Sequence, residues 1–201
     1  MNFEQELRRF KEFETETLTA YTVVGDLSVP TYTNEFWTSK QRGGHSLHEV
    51  SYRACFKAEL PTFFIERFTK PGEVVYDPFL GRGTTALQAS LEGQVAYGCD
   101  LNPLSKVLLE PRLDPPTLEQ VERRLEEIDL SNPKDIREDL LVFYAQSTLS
   151  ELCALREYFL NKKELDPVDK WIRMVALNRL TGHSAGFFSV YTLPPNQAGL
   201  S

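Results

Sequence analysis

The chain has 201 residues, 41% of them apolar and 25% charged, a balance that excludes a disordered, collagen-like or disulfide-framework protein. Its 22 Lys and Arg against 29 Asp and Glu give a net charge of −7, so the chain as a whole repels a nucleic-acid backbone and any contact with one must be local. No run approaches the ~20 apolar residues that cross a bilayer. The start, MNFEQELRRF, is charged where a secretory leader would be hydrophobic, so a cytoplasmic protein without membrane contact is expected.

Within the first sixteen residues, Phe3, Leu7, Phe10 and Phe13 recur at helical intervals and predict a short amphipathic helix acting as a packing arm. From Tyr21 to Gly44 the abundance of Thr, Pro, Asn and Gly predicts irregular structure, with Phe36 and Trp37 as apolar anchors. Lys40, Arg42, Arg53 and Lys57 then face a single acid, Glu49, and form the best local candidate for contact with DNA, although solvated surface is the commoner fate of such a cluster. His45 and His48 have a chelating separation without a third ligand nearby, so no metal site is expected. Cys55, Cys99 and Cys153 are odd in number and far apart, which suits a reducing compartment and neither a disulfide set nor a zinc knuckle.

Glu73 to Phe79 is a β-rich run after the turn pair Pro71-Gly72, and it ends in the loop Leu80-Gly-Arg-Gly-Thr-Thr85. A helix follows from Thr84 to about Leu91, closed by Gly93, and Gln94 to Asp100 is a second strand. That spacing is the spacing of a strand–helix–strand unit with parallel strands, so an α/β fold of nucleotide-binding type is expected. Beyond Pro103 three apolar faces predict helices: Leu118, Val121, Leu125 and Ile128; Leu149, Leu152, Leu155 and Phe159; Val168, Trp171, Ile172 and Val175. Phe187 to Leu193 is the only later strand-like run, leaving an incomplete sheet of two or three strands. The expected organisation is an arm and irregular segment over 1–44, an α/β core over 45–110 and a largely helical region over 111–201.

Gly81, Gly83 and Ala86 satisfy the G-x-G-x-x-G/A spacing, and Asp100 stands seventeen residues after Gly83, where an acid can hold ribose hydroxyls. Alone this is a weak dinucleotide signal. Asp77 discriminates, because a carboxylate at the end of the first strand would oppose a pyrophosphate. The ligand should carry positive charge, and S-adenosylmethionine has an ammonium, a sulfonium and a ribose. A P-loop is excluded because Thr84 stands where its Lys would be. The structural alternative is that the glycines only make a tight turn, Asp77 caps the helix, and Asp100 with Asn102 forms an Asx turn before Pro103.

The string Asp77-Pro-Phe-Leu-Gly-Arg-Gly-Thr-Thr85 closely resembles the cofactor-binding motif of the DNA amino-methyltransferases, which methylate the exocyclic amine of cytosine or adenine. Cys55-Phe-Lys-Ala-Glu-Leu-Pro61 is similar to the segment preceding that motif, and Gly98-Cys-Asp-Leu-Asn-Pro103 to the family's ribose-binding strand end. The resemblance covers about residues 45 to 110, and Thr181 to Pro195 also has the look of longer members. It implies a Rossmann-like fold, S-adenosylmethionine as cofactor and DNA as substrate. It further implies that Phe56, Glu59 and Leu60 pack around the methionine end, and that Asp77, Pro78, Phe79, Gly81, Gly83, Thr84 and Thr85 form the motif beside it. Asp100 would hold the ribose, and Leu101 and Asn102 the adenine side.

The chain departs from the family where the target amine is held, by an Asp/Asn/Ser-Pro-Pro-aromatic motif. Asp114-Pro-Pro-Thr117 lacks the aromatic, and Thr117 with Gln120 reads instead as a capping box. In Leu193-Pro-Pro-Asn196, Leu193 cannot accept a hydrogen bond and Asn196 cannot stack. In the family's order the catalytic motif comes later, so this is expected to be the N-terminal, cofactor-binding portion of a truncated or split methyltransferase, completed by a second polypeptide and not active alone. The alternatives are a non-catalytic scaffold subunit, an enzyme using the same cofactor on RNA or a small molecule, and, more distantly, a nicotinamide dehydrogenase opposed by Asp77. The acidic helices after residue 117 argue against DNA docking there.

Overall fold

The computed structural model describes residues 2–37, 44–52, 55–180 and 186–187. Contacts divide the chain into two units, Met1–Asn102 and Pro103–Ser201. The architecture is mixed α/β, with two small sheets and seven α-helices among the described residues.

In the first unit, helix α1 (Phe3–Arg9) starts on the Asn2 side chain, which accepts from the Gln5 N–H. The amphipathic arm is therefore shorter than the sixteen residues of its pattern, but it packs as an arm. Phe3 lies edge-on to Phe68 with ring centroids 4.7 Å apart, and Phe10 lies 5.9 Å from Phe63. Arg67 binds Glu6 at 2.7 Å and spreads its guanidinium over the Phe63 ring.

The expectation of irregular structure from Tyr21 onward is corrected. Strands β1 (Leu18–Val24) and β2 (Leu27–Thr33) form an antiparallel hairpin in register from Leu18–Thr33 to Val24–Leu27. Gly25, at φ +60°, supplies the left-handed residue that a two-residue hairpin turn requires. Pro30 is accommodated because a two-stranded ribbon has only edge strands.

Helix α2 (Glu59–Phe68), strand β3 (Val74–Asp77), helix α3 (Thr84–Leu91) and strand β4 (Val95–Gly98) make the α/β core. The strands are parallel, with Val74 opposite Val95 and Asp77 opposite Gly98, as the strand–helix–strand spacing requires. Ala86, Leu87 and Ala89 are buried where α3 packs on both strands and on α2, and the two alanines let the backbones approach. Gly93, at φ +85°, ends α3 in the left-handed conformation expected just past a helix.

The second unit contains the helices α4 (Leu104–Leu113), α5 (Leu118–Glu127), α6 (Gln146–Asn161) and α7 (Pro167–Arg179). Helix α7 packs against α4 and α5, and Leu108, Leu149, Cys153, Ile172 and Met174 are buried. Helix α5 opens on the expected capping box, with Thr117 and Gln120 each bonding the other's backbone N–H. Of its apolar face only Ile128, just past the last turn, is buried, whereas Leu118 and Leu125 are exposed. The strand-like run Phe187–Leu193 lies outside the described residues except for Phe187, which bridges Tyr144.

Candidate cofactor site

The expected site residues of the motif and of the ribose end converge at the C-terminal end of the β3–β4 pair. Asp77 is the last residue of β3, and its Oδ1 accepts the Phe79 N–H at 3.0 Å. It does not cap α3, whose N-cap is Gly83 without a side-chain bond. Gly81 and Gly83 stand at φ +52° and +83°, so the turn from strand to helix needs residues without a Cβ. Asp100 lies two residues beyond β4 and reaches across to the loop, where its Oδ2 accepts the Gly81 N–H at 2.7 Å. Its Oδ1 accepts the Asn102 N–H at 2.8 Å, the Asx turn foreseen before Pro103. The two strand ends are thus tied to each other through the second carboxylate.

Pro78 links Asp77 to Phe79, and the apolar side chains beside the acids stand in solvent. Phe79 is 86% exposed and Leu101 fully exposed, whereas Thr84 is buried beneath the loop. Exposed aromatic and aliphatic surface next to hydrogen-bonding carboxylates suits a ligand with an apolar ring and a polar sugar. Phe56, Leu60 and Thr85 lie apart from the acids in one respect: they share an apolar groove with Phe64, Phe68 and Val74. Glu59 opens α2 and lines a different cleft, with Trp37, Phe63 and Arg67.

Three positioning groups were not foreseen. Arg82, between the two glycines, directs its guanidinium inward: Nε to Thr84 Oγ1 at 2.9 Å, Nη1 to the Val50 carbonyl at 3.0 Å and Nη2 to the Phe56 carbonyl at 3.1 Å. It clamps the upstream segment to the loop and turns its charge into the protein. Tyr52 packs on Gly81, where its ring carbon would meet an added Cβ at 3.6 Å. Gly98 lets β4 approach Leu80, whose side chain would collide with a Cβ there. A lone Arg inside a glycine turn is the only one of these with a visible sequence signal. His48, buried, binds Gln88 of α3 at 2.9 Å, and His45 accepts the Leu47 N–H, so both histidines have structural roles. Among the described residues no group of three His, Cys, Asp or Glu could hold a metal ion. Cys99 is exposed, with its Sγ 3.1 Å from the Tyr76 hydroxyl, and that bond holds the Tyr76 phenol above its usual range. Lys57 is exposed, whereas Lys40, Arg42 and Arg53 lie outside the described residues. No described helix is long and apolar enough to cross a membrane.

The mixed α/β unit thus carries a glycine turn after its first parallel strand, with a carboxylate at each strand end and the loop's one cation turned inward. The family model described as DNA methylase matches residues 18–106. The chain is 31% identical over 112 residues to the type II methyltransferase M.BsoBI of Geobacillus stearothermophilus, covering 54% of this chain and 22% of that protein. It is 26% identical over 134 residues to the type II methyltransferase M.MjaII of Methanocaldococcus jannaschii, covering 61% and 24%. Over 96 residues it is 30% identical to the type II methyltransferase M.MvaI of Kocuria varians, covering 46% and 20%. The chain is related to the DNA amino-methyltransferases, a family whose methyl donor is S-adenosylmethionine. It spans between 20% and 24% of the length of these three relatives. No solved structure matches it.

Proposed function

We propose that this chain is the S-adenosylmethionine-binding portion of a DNA methyltransferase acting on an exocyclic base amine, built on a Rossmann-like core over residues 45–110. The observation that carries the reading is the pair of strand-end carboxylates, Asp77 and Asp100, set across a glycine turn whose arginine faces away from them. A pyrophosphate would meet two negative groups there, whereas a sulfonium and an ammonium meet favourable ones. When bound, the cofactor supplies an electrophilic methyl group.

In this reading Asp77 faces the cofactor's positive end, with Phe56, Glu59 and Leu60 on the methionine side. Asp100 accepts from the ribose hydroxyls, and exposed Leu101 with Asn102 flanks the adenine. Pro78, Phe79, Gly81, Gly83, Thr84 and Thr85 hold the loop close enough for backbone contact. Among the described residues the amine-holding motif has no counterpart: Asp114 ends α4 and Thr117 caps α5, and Leu193-Pro-Pro-Asn196 lies outside them. A second polypeptide is proposed to supply it, with base flipping and in-line transfer performed by the complete enzyme on DNA in the cytoplasm.

Calorimetric titration of S-adenosylmethionine into the purified chain tests the reading, with Asp77→Ala as control. Binding lost in the variant is the expected result. A folded chain that ignores the cofactor, or an Asp77→Ala chain that binds it equally well, overturns the reading.

A further inference from the structure

Two surfaces of the second unit complement each other. The first is a groove of about 390 Å³ along helices α6 and α7. Leu149 and Cys153 are its buried floor, and Leu160 and Leu177 are exposed at its sides. Among the described residues that line it, Arg137, Arg156 and Arg173 carry positive charge and none carries negative charge. Arg137 is held by Asp139, but the Nε of Arg173 is buried without a hydrogen-bond partner. A buried donor left in that state costs free energy until an acceptor arrives. The groove therefore suits an occupant that brings apolar side chains and carboxylates together.

Helix α5 has that composition. It is tied to the start of α7 on one side, where Arg124 binds Asp166 and Asp169 and Ile128 is buried. Next to that side, Leu118, Glu122 and Leu125, spaced i, i+4 and i+7, fall on one stripe. Leu118 is 72% exposed and Leu125 52%, with Glu122 and Glu126 exposed beside them. Glu119 and Glu127 are engaged by Arg123 and Arg124 of their own helix. Glu122 and Glu126 have no ion pair among the described residues, so their charge is available to a partner. Because Arg124 holds α5 at Asp166 and Asp169 while its leucine stripe stands in solvent, α5 does not fill the groove of its own chain.

We propose that the occupant of the groove is a second copy of this chain, which inserts the Leu118–Leu125 stripe of its α5 between α6 and α7 and sets Glu122 and Glu126 against Arg156 and Arg173. Apolar anchors at i and i+7 are how a helix reads a groove between two others. The acids beside them select a basic groove and fix the helix's direction in it. The two surfaces differ, so each contact joins the helix of one copy to the groove of another.

Sedimentation equilibrium of the full chain over a wide range of concentration tests the proposal. The expected result is reversible self-association that weakens with added salt. Leu125→Glu, which spoils the helix, and Arg156→Glu, which spoils the groove, should each weaken it at least about ten-fold. Both positions are exposed, and urea unfolding checks that each variant keeps its fold. Should the Leu125 variant not fold, Leu118→Glu replaces it. The decisive sample is an equal mixture of the two variants: one retains the groove and the other the helix, so the mixture should form dimers that neither variant forms alone. A chain that is monomeric throughout, self-association that both variants leave intact, or a mixture no more associated than its components overturns the proposal.

Discussion

Asp169 and Asp100 show how differently the two units use a carboxylate. Asp169, near the start of α7, is 1% exposed and receives the Arg124 guanidinium, the Lys162 ammonium at 2.5 Å and the Tyr158 hydroxyl at 2.9 Å. Burial alone would raise its pKa, but the bonds from Lys162, Arg124 and Tyr158 outweigh it and hold the carboxyl below the usual aspartate range. Asp100 is exposed, and it accepts from the backbone N–H groups of Gly81 and Asn102. One carboxylate is closed into an internal tie among helices α5, α6 and α7, while the other is presented to solvent at a strand end. The contrast separates a group kept for stability from one that the proposed function assigns to binding.

The largest effect expected from breaking this contrast is at Asp169. Replacing it by Ala leaves Arg124 and Lys162 facing each other without their shared anion, at a cost of about 3–5 kcal/mol, read by urea unfolding. A loss below about 1 kcal/mol would show that the cluster is not a structural tie. The same cluster sets a pH dependence. Asp166, lowered first by its bond to Arg124, and Asp169 both have depressed pKa values in the folded chain. Their contribution is complete above the unfolded aspartate value, about 3.9, and is lost as pH falls through the lower folded values. Unfolding monitored from pH 7 to pH 3 should show this contribution constant to about pH 5 and falling below it, a fall that Asp169→Ala flattens.

Asp100→Ala should do the reverse: little change in stability, but cofactor affinity lowered about ten- to a hundred-fold, the value of one or two charge-assisted hydrogen bonds. Unchanged affinity by calorimetry would return Asp100 to a mere Asx turn. Arg82→Lys is expected to weaken cofactor binding about three- to ten-fold, because an ammonium cannot fork to Val50, Phe56 and Thr84 together. Faster proteolysis within residues 44–57 would accompany it, and unaltered cleavage there would refute the clamp. The smallest effect is at Thr117→Ala, about 1 kcal/mol of stability from the lost cap, with cofactor binding untouched.

The order β3, α3, β4 was legible because a turn pair, a glycine loop and Gly93 punctuate short apolar runs whose spacing permits only a parallel crossover. The hairpin was hidden by composition: Thr and Pro suggested a loop, while Val24-Gly25-Asp26-Leu27 carried the two-residue turn that mattered. At the site, Asp77, Asp100 and the glycines could be read from local spacing. The clamp by Arg82 and the packing of Tyr52 could not, since each joins positions about thirty residues apart without any period. The stripe on α5 marked an amphipathic helix correctly, but periodicity does not say what covers it, and Leu118 and Leu125 are exposed.

The bond from the Gly81 N–H to Asp100 also makes the site self-reporting. Any hydroxyl that donates to that carboxylate competes for its electron density, so the Gly81 amide proton should change chemical shift whenever ribose engages the far strand end. A single glycine resonance, in the sparsely populated glycine region of a nitrogen–proton spectrum, would then follow occupancy without label, probe or turnover.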